Sequence, residues 1–339
     1  MGGGAVRHGF ILAARGAASL FLLGFGVWSS LALLYLARNG TLAATAAACT
    51  VPIALWAVWR GKLWGFLPQA LAGFLALALF FGLKPSNERV WAPDVARLAT
   101  GKVKGETLKM DSVRSFRWRA DDTAEPVWEK RSYDLGQLVS VDLIASYWMG
   151  EAIAHTMLSF GFEKPDGTRD HLVFSAEIRK EKGETYSALA GFFRQYELAI
   201  IAADEPDMIG VRAAVRGEDV RIYPLAMPKA IARDLLLRQV NLANRLAVRP
   251  KYYNTITANC TTVPFEIARR LVPDLPTDWR ILASGYFPDY LYGLGAIPNG
   301  IPFSVLRTIA KASDRAKTAA GKNDYSILIR TGLPKAGLF

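Results

Sequence analysis

The sequence predicts an α+β protein in which three transmembrane helices precede a mixed domain of helices and strands. Three apolar stretches near the N-terminus are each close to the roughly 20 residues that a helix needs to cross a bilayer core. Beyond them, several segments alternate apolar and polar residues as strands do, and two stretches have helical periodicity. About 255 residues follow the apolar stretches, which is enough for one substantial core or two small ones.

The apolar stretches run from about Ala17 to Ala37, from Thr41 to Trp59 and from Leu63 to Leu83. The first 84 residues hold six Lys or Arg and no Asp or Glu, and very short connections join the stretches. A cleaved signal peptide is disfavoured, because two further apolar stretches follow the first and no small-residue cleavage site ends it. We therefore expect residues 1–84 to anchor the protein in a membrane.

Basic residues indicate the orientation of this anchor. Those of the N-terminus and of the second connection are Arg7, Arg15, Arg60 and Lys62. They outweigh Arg38 in the first connection, so the positive-inside rule places the N-terminus in the cytoplasm and everything after Lys84 on the opposite side.

The charge balance excludes one class of partner. The formal net charge is +11, but the residues after the anchor carry 35 basic and 30 acidic side chains. This mild excess suits a domain beside anionic headgroups, and no basic cluster resembles a nucleic-acid patch. Three histidines and two cysteines include no pair at metal-ligand spacing, so we expect neither a metal site nor a cofactor.

The exported region is expected to comprise a polar connector (85–110), a main domain (111–300) and a basic C-terminal tail (301–339). The default interpretation of Ser304 to Lys322 in the tail is a solvated helix, and contact with the membrane surface is the alternative. Strand-like runs are predicted at Ser112–Arg119, Leu138–Ile144, Ile153–Phe162, His171–Arg179, Arg194–Ala202 and Val211–Pro224. Helices are predicted from Pro228 to about Leu246 and from about Thr261 to Leu271.

The strands at 153–162 and 171–179 form a predicted hairpin, because the sequence Glu-Lys-Pro-Asp-Gly between them is typical of a turn. With the turn centred near Asp166, His155 stands opposite Glu177 on the polar face of the hairpin. A register shift of two residues would instead bring Ser175 or Arg179 to that position. A histidine and a carboxylate are therefore expected to meet.

Cys260 is the only cysteine outside the apolar stretches, since Cys49 lies in the second of them. Exported proteins normally pair their cysteines or dispense with them, so a lone thiol is unusual. Cys260 precedes a predicted helix that tolerates Pro264 only in its first turn. At such a helix entrance, the dipole and the unpaired N–H groups favour thiolate over thiol. We interpret Cys260 as a reactive thiol; a buried, inert cysteine is the alternative.

These residues suggest three catalytic roles, with Cys260 as nucleophile, His155 as base and Glu177 as orienting carboxylate. The alternatives are a core histidine at 155 and a solvated strand-face carboxylate at 177. Asn259 could donate to an oxyanion or cap the following helix, of which the cap is favoured, and Thr261 is a second candidate cap. The residues expected to support the site are Asn259, Thr261 and Ser175.

Several short motifs together resemble a known family. They are Ser146-Tyr147-Trp148, Ala154-His155-Thr156-Met157-Leu158-Ser159-Phe160-Gly161-Phe162, Tyr196-Glu197-Leu198, Tyr253-Asn254-Thr255 and Asn259-Cys260-Thr261-Thr262. From about Val113 to Leu271 the chain resembles the bacterial DUF4105 family, also called the Lnb N-terminal periplasmic domain after a lipoprotein N-acyltransferase. The resemblance implies thiol-dependent acyl transfer and carries over to Cys260 and His155 only.

The chain order, histidine before cysteine, is the reverse of papain's. It is similar to that of circularly permuted members of the papain-like NlpC/P60 superfamily, such as lecithin:retinol acyltransferase-like enzymes, whose cysteine also follows an asparagine. Those acyltransferases often use a second histidine. His171 would pair near Gly161, six residues from His155 or about 20 Å at roughly 3.3 Å per residue, so the third member of the site stays open.

We therefore expect a bacterial inner-membrane protein whose periplasmic, papain-like domain is a cysteine acyltransferase. The expected acyl donor is a membrane phospholipid, and the expected acceptor is an amine such as a lipoprotein N-terminus, with a thioester on Cys260 between them. A cysteine amidase or peptidase acting on cell-wall peptides is the first alternative. A non-catalytic envelope binding module is the second.

The charge asymmetry predicts the topology directly. A reporter fused after Phe339 should be active only if it is of a type that works outside the cytoplasm. A reporter fused after Arg60 should be active only if it is of a type that works in the cytoplasm. Paired alkaline phosphatase and fluorescent-protein fusions at both positions would measure this. A cytoplasmic C-terminus would contradict the prediction and would remove the argument from the lone exported thiol.

Overall fold

The computed structural model describes residues 3–37, 40–298, 300–334 and 337–339. Its chain divides into two compact units: Met1–Pro85 together with Ser187–Gln195, and Ser86–Tyr186 together with Tyr196–Phe339. Of the first predicted connection, Arg38 to Gly40, Arg38 and Asn39 lie outside the described residues. The mixed α+β composition that the sequence predicts is confirmed.

The first unit contains α1 (Gly3–Leu36), α2 (Gly40–Thr45), α3 (Val51–Arg60) and α4 (Leu67–Gly82). A π-helical turn (Ala46–Thr50) joins α2 to α3, and a 3₁₀ turn (Leu63–Phe66) leads into α4. Within the described part of the chain, three helical stretches are long and apolar enough to cross a membrane: Val6–Leu36, Gly40–Arg60 and Leu63–Gly82. The first of these stretches begins earlier than the predicted Ala17. Arg7 and Arg15 interrupt the apolar sequence, but they do not interrupt the helix.

The second unit is built on an eight-stranded sheet. Its strands are β1 (Thr100–Lys104), β2 (Thr107–Arg114), β5 (Trp128–Asp134), β6 (Leu138–Tyr147), β7 (Ala154–Glu163), β8 (Arg169–Arg179), β9 (Glu197–Ala203) and β10 (Asp219–Pro224). The order is β1-β2-β9-β8-β7-β6-β10, and β5 also pairs with β2. The short strands β3 (Arg117–Trp118) and β4 (Ala124–Glu125) form a separate pair.

The described residues of this unit also form seven α-helices. They are α5 (Glu205–Gly210), α6 (Lys229–Val248), α7 (Thr262–Arg269), α8 (Phe287–Gly293), α9 (Phe303–Ala310), α10 (Ser313–Ala319) and α11 (Tyr325–Leu328). The predicted helices after Pro228 and Cys260 are confirmed as α6 and α7. One sheet face, carrying Ile144, Met157 and Val173, packs against α5, α10 and α11. Leu143 and Leu158 point to the other face, where α6, α7 and α8 lie.

Three sequence expectations differ from the structure. The connector at 85–110 is not separate from the domain, since it supplies β1 and the start of β2. The strand expected at Val211–Pro224 begins only at Asp219, and Val211–Val215 is a π-helix that continues α5. The apolar residues of Val211–Val215 alternate with other residues as in a strand, but they pack against helices and do not pair in the sheet.

The C-terminal tail is the third difference. Instead of a solvated helix, it forms α9 to α11, and alanines at 310, 312, 316 and 319 are buried in the core. The basic residues of the tail suggested solvation, whereas its small apolar residues are the ones that pack. The tail also supplies Arg330, which lies between two buried carboxylates.

Arg330 joins the tail to the sheet and to α5. Its guanidinium donates at 2.8 Å to Asp142 Oδ2 and at 2.8 Å to Glu205 Oε2. Ser159 donates to the other oxygen of Glu205 at 2.6 Å. Glu205 is fully buried, and burial alone would raise its pKa; the charge of Arg330 outweighs that effect and lowers the pKa to about 2. A buried charge persists only when it is paired in this way.

Replacing Arg330 by Ala should therefore lower the free energy of unfolding by about 3–5 kcal/mol, because two buried carboxylates lose their partner. Chemical denaturation of the full chain in detergent, followed by tryptophan fluorescence, measures this. Arg269→Ala removes an exposed ion pair with Glu266 and should cost about 1 kcal/mol or less. Equal losses in the two variants would contradict the importance of the buried cluster.

Candidate active site

The β7–β8 hairpin has the predicted register. Its pairs run from Glu163 opposite Arg169 to Leu158 opposite Phe174. Continued along the two strands, this register places His155 opposite Glu177. Both residues lie beyond the paired stretch, near the end of the hairpin that is remote from the turn.

The His155 ring contacts two side chains of β8 through one nitrogen. Nε2 lies 2.7 Å from Ser175 Oγ and 3.1 Å from Glu177 Oε1. Ser175 donates its own proton to the same Glu177 oxygen at 2.8 Å, so its hydroxyl accepts from the histidine. This network assigns the proton of the neutral ring to Nε2 and leaves the lone pair on Nδ1. Ser175 and Glu177, which were alternative partners in the sequence, both contact the histidine.

Glu177 has a second cationic partner that the sequence did not reveal. Arg212 donates to Glu177 Oε1 at 3.1 Å, and it also donates to the carbonyl oxygen of Met208 at 2.9 Å. Burial would raise the pKa of Glu177, but His155 and Arg212 lower it well below its ordinary value. The carboxylate therefore stays ionised and orients the imidazole. Arg212 lies in the π-helix that the sequence had indicated as a strand.

Cys260 lies two residues before the first residue of α7, at a helix entrance that Asn259 caps. Asn259 Oδ1 accepts the N–H groups of Thr261 at 2.9 Å and of Thr262 at 2.8 Å, and its amide donates to the carbonyl of Thr255 at 2.8 Å. These contacts agree with the favoured interpretation of Asn259 as the cap. Thr261 makes no capping bond through its side chain.

Thr261 instead takes part in contacts around the thiol. Its hydroxyl lies 3.9 Å from Cys260 Sγ and 3.1 Å from the hydroxyl of Thr156. Thr156 donates to the carbonyl oxygen of Cys260 at 2.9 Å, and the thiol itself lies 4.0 Å from the carbonyl oxygen of Ala154. The start of β7 and the start of α7 are therefore held together next to Cys260.

Cys260 and His155 shift each other's pKa. Burial would raise the pKa of the Cys260 thiol, but the interaction with His155 lowers it below the ordinary value. Burial would likewise lower the pKa of His155, but Glu177 and Cys260 outweigh that effect and raise it to about 9. Since Nε2 is engaged by β8, Nδ1 is the nitrogen available to the thiol. The arrangement favours a thiolate–imidazolium pair at neutral pH.

Two tyrosines near the thiol were not expected from the sequence. Burial and the neighbouring Cys260 raise the pKa of both Tyr186 and Tyr253. Tyr186 also contacts Trp148 edge to face, with ring centroids 5.6 Å apart, and both rings are about half exposed. Trp148 and Tyr253 stand in the motifs that carry the family resemblance, whereas Tyr186 lies in a loop without a periodic pattern.

His171 does not belong to this site. It pairs with Gly161, as predicted, and its Nδ1 lies 3.9 Å from Glu205 in the buried cluster around Arg330. Burial lowers its pKa, so the ring is neutral. Among the residues that the structure describes, no group of three or more His, Cys, Asp or Glu side chains is placed to hold a metal ion.

The lowered thiol pKa predicts rapid alkylation. Cys260 should react with iodoacetamide at pH 7 much faster than a peptide thiol, because the thiolate is the reacting form. His155→Ala should slow the reaction and move its pH dependence towards that of an ordinary thiol, whereas His8→Ala in α1 should change nothing. Peptide mass spectrometry over time measures the rate. If wild type and His155→Ala react equally slowly, the two side chains do not form a dyad.

Comparison with protein families is in line with the resemblance found from the motifs. Residues 124–285 match the family model described as the Lnb N-terminal periplasmic domain. Searches of curated proteins and of solved structures gave no match. The matched segment includes His155, Glu177 and Cys260. Together with the three apolar N-terminal helices, the match fits a membrane-anchored protein with a periplasmic domain.

Proposed function

We propose that the protein is a cysteine acyltransferase that moves a fatty acyl group from a phospholipid to an amine. The observation that carries the proposal is the position of Glu177 at 3.1 Å from His155 Nε2, together with the lowering of the Cys260 thiol pKa that His155 causes. These three side chains would supply a nucleophile, a proton carrier and an orienting carboxylate. The similarity of residues 124–285 to the Lnb N-terminal periplasmic domain supports the same proposal. We also propose that the domain is a circularly permuted papain-like fold, since its histidine strand precedes the helix that begins beside the cysteine.

The reaction follows from the charges. The Cys260 thiolate attacks the ester carbonyl of the phospholipid, a C–S bond forms, and the C–O bond of the ester breaks. The His155 imidazolium gives its proton to the departing alcohol, which leaves as a lysophospholipid. An amine then attacks the thioester, the neutral imidazole accepts the amine proton, and the thiolate departs. The first step starts from the thiolate–imidazolium pair that the network around His155 favours, and the second step uses the neutral imidazole that the first step leaves.

The membrane anchor supports a lipid donor. A tethered domain meets lipid headgroups at a high effective concentration, so a thiol on it encounters phospholipid esters more often than soluble ones. We infer an inner-membrane location, a cytoplasmic N-terminus and a lipoprotein N-terminus as acceptor on the same grounds and on the family similarity. A cysteine amidase acting on cell-wall peptides would use the same dyad, and the experiment below separates the two.

Cys260→Ser should abolish acyl transfer without unfolding the protein, since a serine hydroxyl is a much weaker nucleophile in the same place. Glu177→Gln should reduce the rate without abolishing it. Cys49→Ser, which changes the other cysteine, is the matched control and should retain full activity. The assay contains radiolabelled phospholipid and a diacylated lipopeptide in detergent, and it scores lysophospholipid and N-acylated product.

The same assay has a pH dependence with a defined sign. The rate should fall at low pH as the thiolate is protonated, and it should fall again above about pH 9 as the His155 imidazolium loses the proton that the leaving alcohol needs. A parallel reaction with a cell-wall stem peptide scores new amines. If Cys260-dependent peptide cleavage occurs without formation of lysophospholipid, the protein is an amidase and the acyltransferase proposal is wrong. If neither assay shows a Cys260-dependent reaction, a binding module is favoured.

A further inference from the structure

A cavity of about 340 Å³ lies between the sheet and the helices that follow it in sequence. Its walls come from β6, β7, α6, α7 and α8, and almost all of them are apolar. Representative lining residues are Leu143, Leu158, Leu235, Phe265, Leu271 and Leu291. This volume lies at the lower end of the range typical of small-molecule sites. His155, Glu177 and Cys260, to which the thiol chemistry is assigned, are not among the residues that line this cavity.

Two sets of lining residues show that the cavity lies close to Cys260. Thr156 lines it and also donates a hydrogen bond to the Cys260 carbonyl. Pro264 and Ala268, one and two turns beyond Cys260, line it from α7. From Pro264 to Leu271 the lining extends along about 10 Å of the chain at helical rise. The cavity therefore begins beside the helix entrance and runs along the helix.

The other end of the cavity reaches the protein surface. Val272 and Leu294 line it and are 40% and 44% exposed. Apart from Thr156, Asp274 is the polar side chain among the lining residues. A peptide buried in such a space would leave its amide groups without partners, at a cost of several kcal/mol. A hydrocarbon chain has no polar groups that would lose hydrogen bonds there, and its removal from water is favourable.

We propose that this cavity binds the fatty acyl chain of the donor, with the chain lying along α7 and its carbonyl carbon at the Cys260 thiol. The inference rests on the proposed acyl transfer for the role of the thiol and names the part of the substrate that the protein recognises. It assigns selection of the donor to chain length and shape rather than to the headgroup. Short chains leave the cavity partly empty, and bulky ones do not fit.

The first test does not need catalysis. Full-length Cys260→Ala protein is mixed in nanodiscs with a phosphatidylethanolamine that carries a diazirine at the end of one palmitoyl chain, irradiated, digested and analysed by peptide mass spectrometry. Crosslinks outside the anchor should concentrate in peptides containing 264–275 and 287–296. Their absence from these peptides, with crosslinks elsewhere in the exported unit, would overturn the proposal.

Two variants narrow the cavity from opposite walls. Ala268→Trp on α7 and Ala296→Phe beyond α8 should each reduce crosslinking to these peptides about tenfold, which corresponds to roughly 1.4 kcal/mol of binding. Arg270→Trp places a bulky ring at the end of the same helix but outside the cavity, and it should change nothing. Equal effects of Arg270→Trp and Ala268→Trp would overturn the proposal. Retention of rapid Cys260 alkylation in versions that keep the thiol shows that each variant is folded.

The second test uses the active protein and separates this inference from the proposed function. In the lysophospholipid assay, Ala268→Trp should lose activity on palmitoyl donors while retaining activity on hexanoyl donors. An equal loss for both chain lengths would overturn the cavity proposal and leave acyl transfer standing. Cavity crosslinks in a protein without transfer activity would support acyl-chain binding and reject the transfer reaction.

Discussion

The ionised Glu177 carboxylate is the constraint on which the candidate site depends. The Glu177 side chain is only 19% exposed, and a charge in such a place is stable only with close partners. Glu177 has three: Ser175, His155 and Arg212. Arg212 approaches it from a π-helix, an uncommon conformation that often marks functional positions. The carboxylate thereby fixes which imidazole nitrogen carries the proton and which one faces Cys260. The charge of Glu177 raises the pKa of His155, and His155 in turn lowers the pKa of the Cys260 thiol.

The second requirement is that a strand end and a helix entrance meet at a fixed distance. Asn259 satisfies the first N–H groups of α7 with its side chain, so the backbone around Cys260 has a defined course. Thr156 then joins that backbone to β7, one residue from His155. His155 therefore lies on a strand, and Cys260 lies in a turn whose course is fixed at the start of a helix, so both side chains have rigid supports of the kind that a reacting pair needs.

The sequence predicted the parts of the site that depend on local periodicity. Alternation and one turn were sufficient to place His155 opposite Glu177, and the helix-start pattern placed Cys260 at a helix entrance. Arg212 was missed because Val211–Val215 alternates like a strand, and the need of a buried carboxylate for a cation is not visible until the fold is known. The C-terminal tail was misread for a related reason, since its charges were visible and the partners of Arg330 were not.

The two histidines of the second unit show why similar groups lead to different chemistry. His171 and His155 lie on the same sheet face, and each is near a glutamate and an arginine; Glu205 is fully buried, whereas the Glu177 side chain is 19% exposed. At His171, the Glu205 carboxylate pairs with Arg330 and remains 3.9 Å from the imidazole. Burial lowers the pKa of His171, so its ring is neutral. At His155 the carboxylate approaches to 3.1 Å, and the interaction with Cys260 also raises the pKa of the ring, so the protonated ring is favoured. The distance between carboxylate and imidazole, together with competition from the arginine, decides which histidine can hold a proton for transfer.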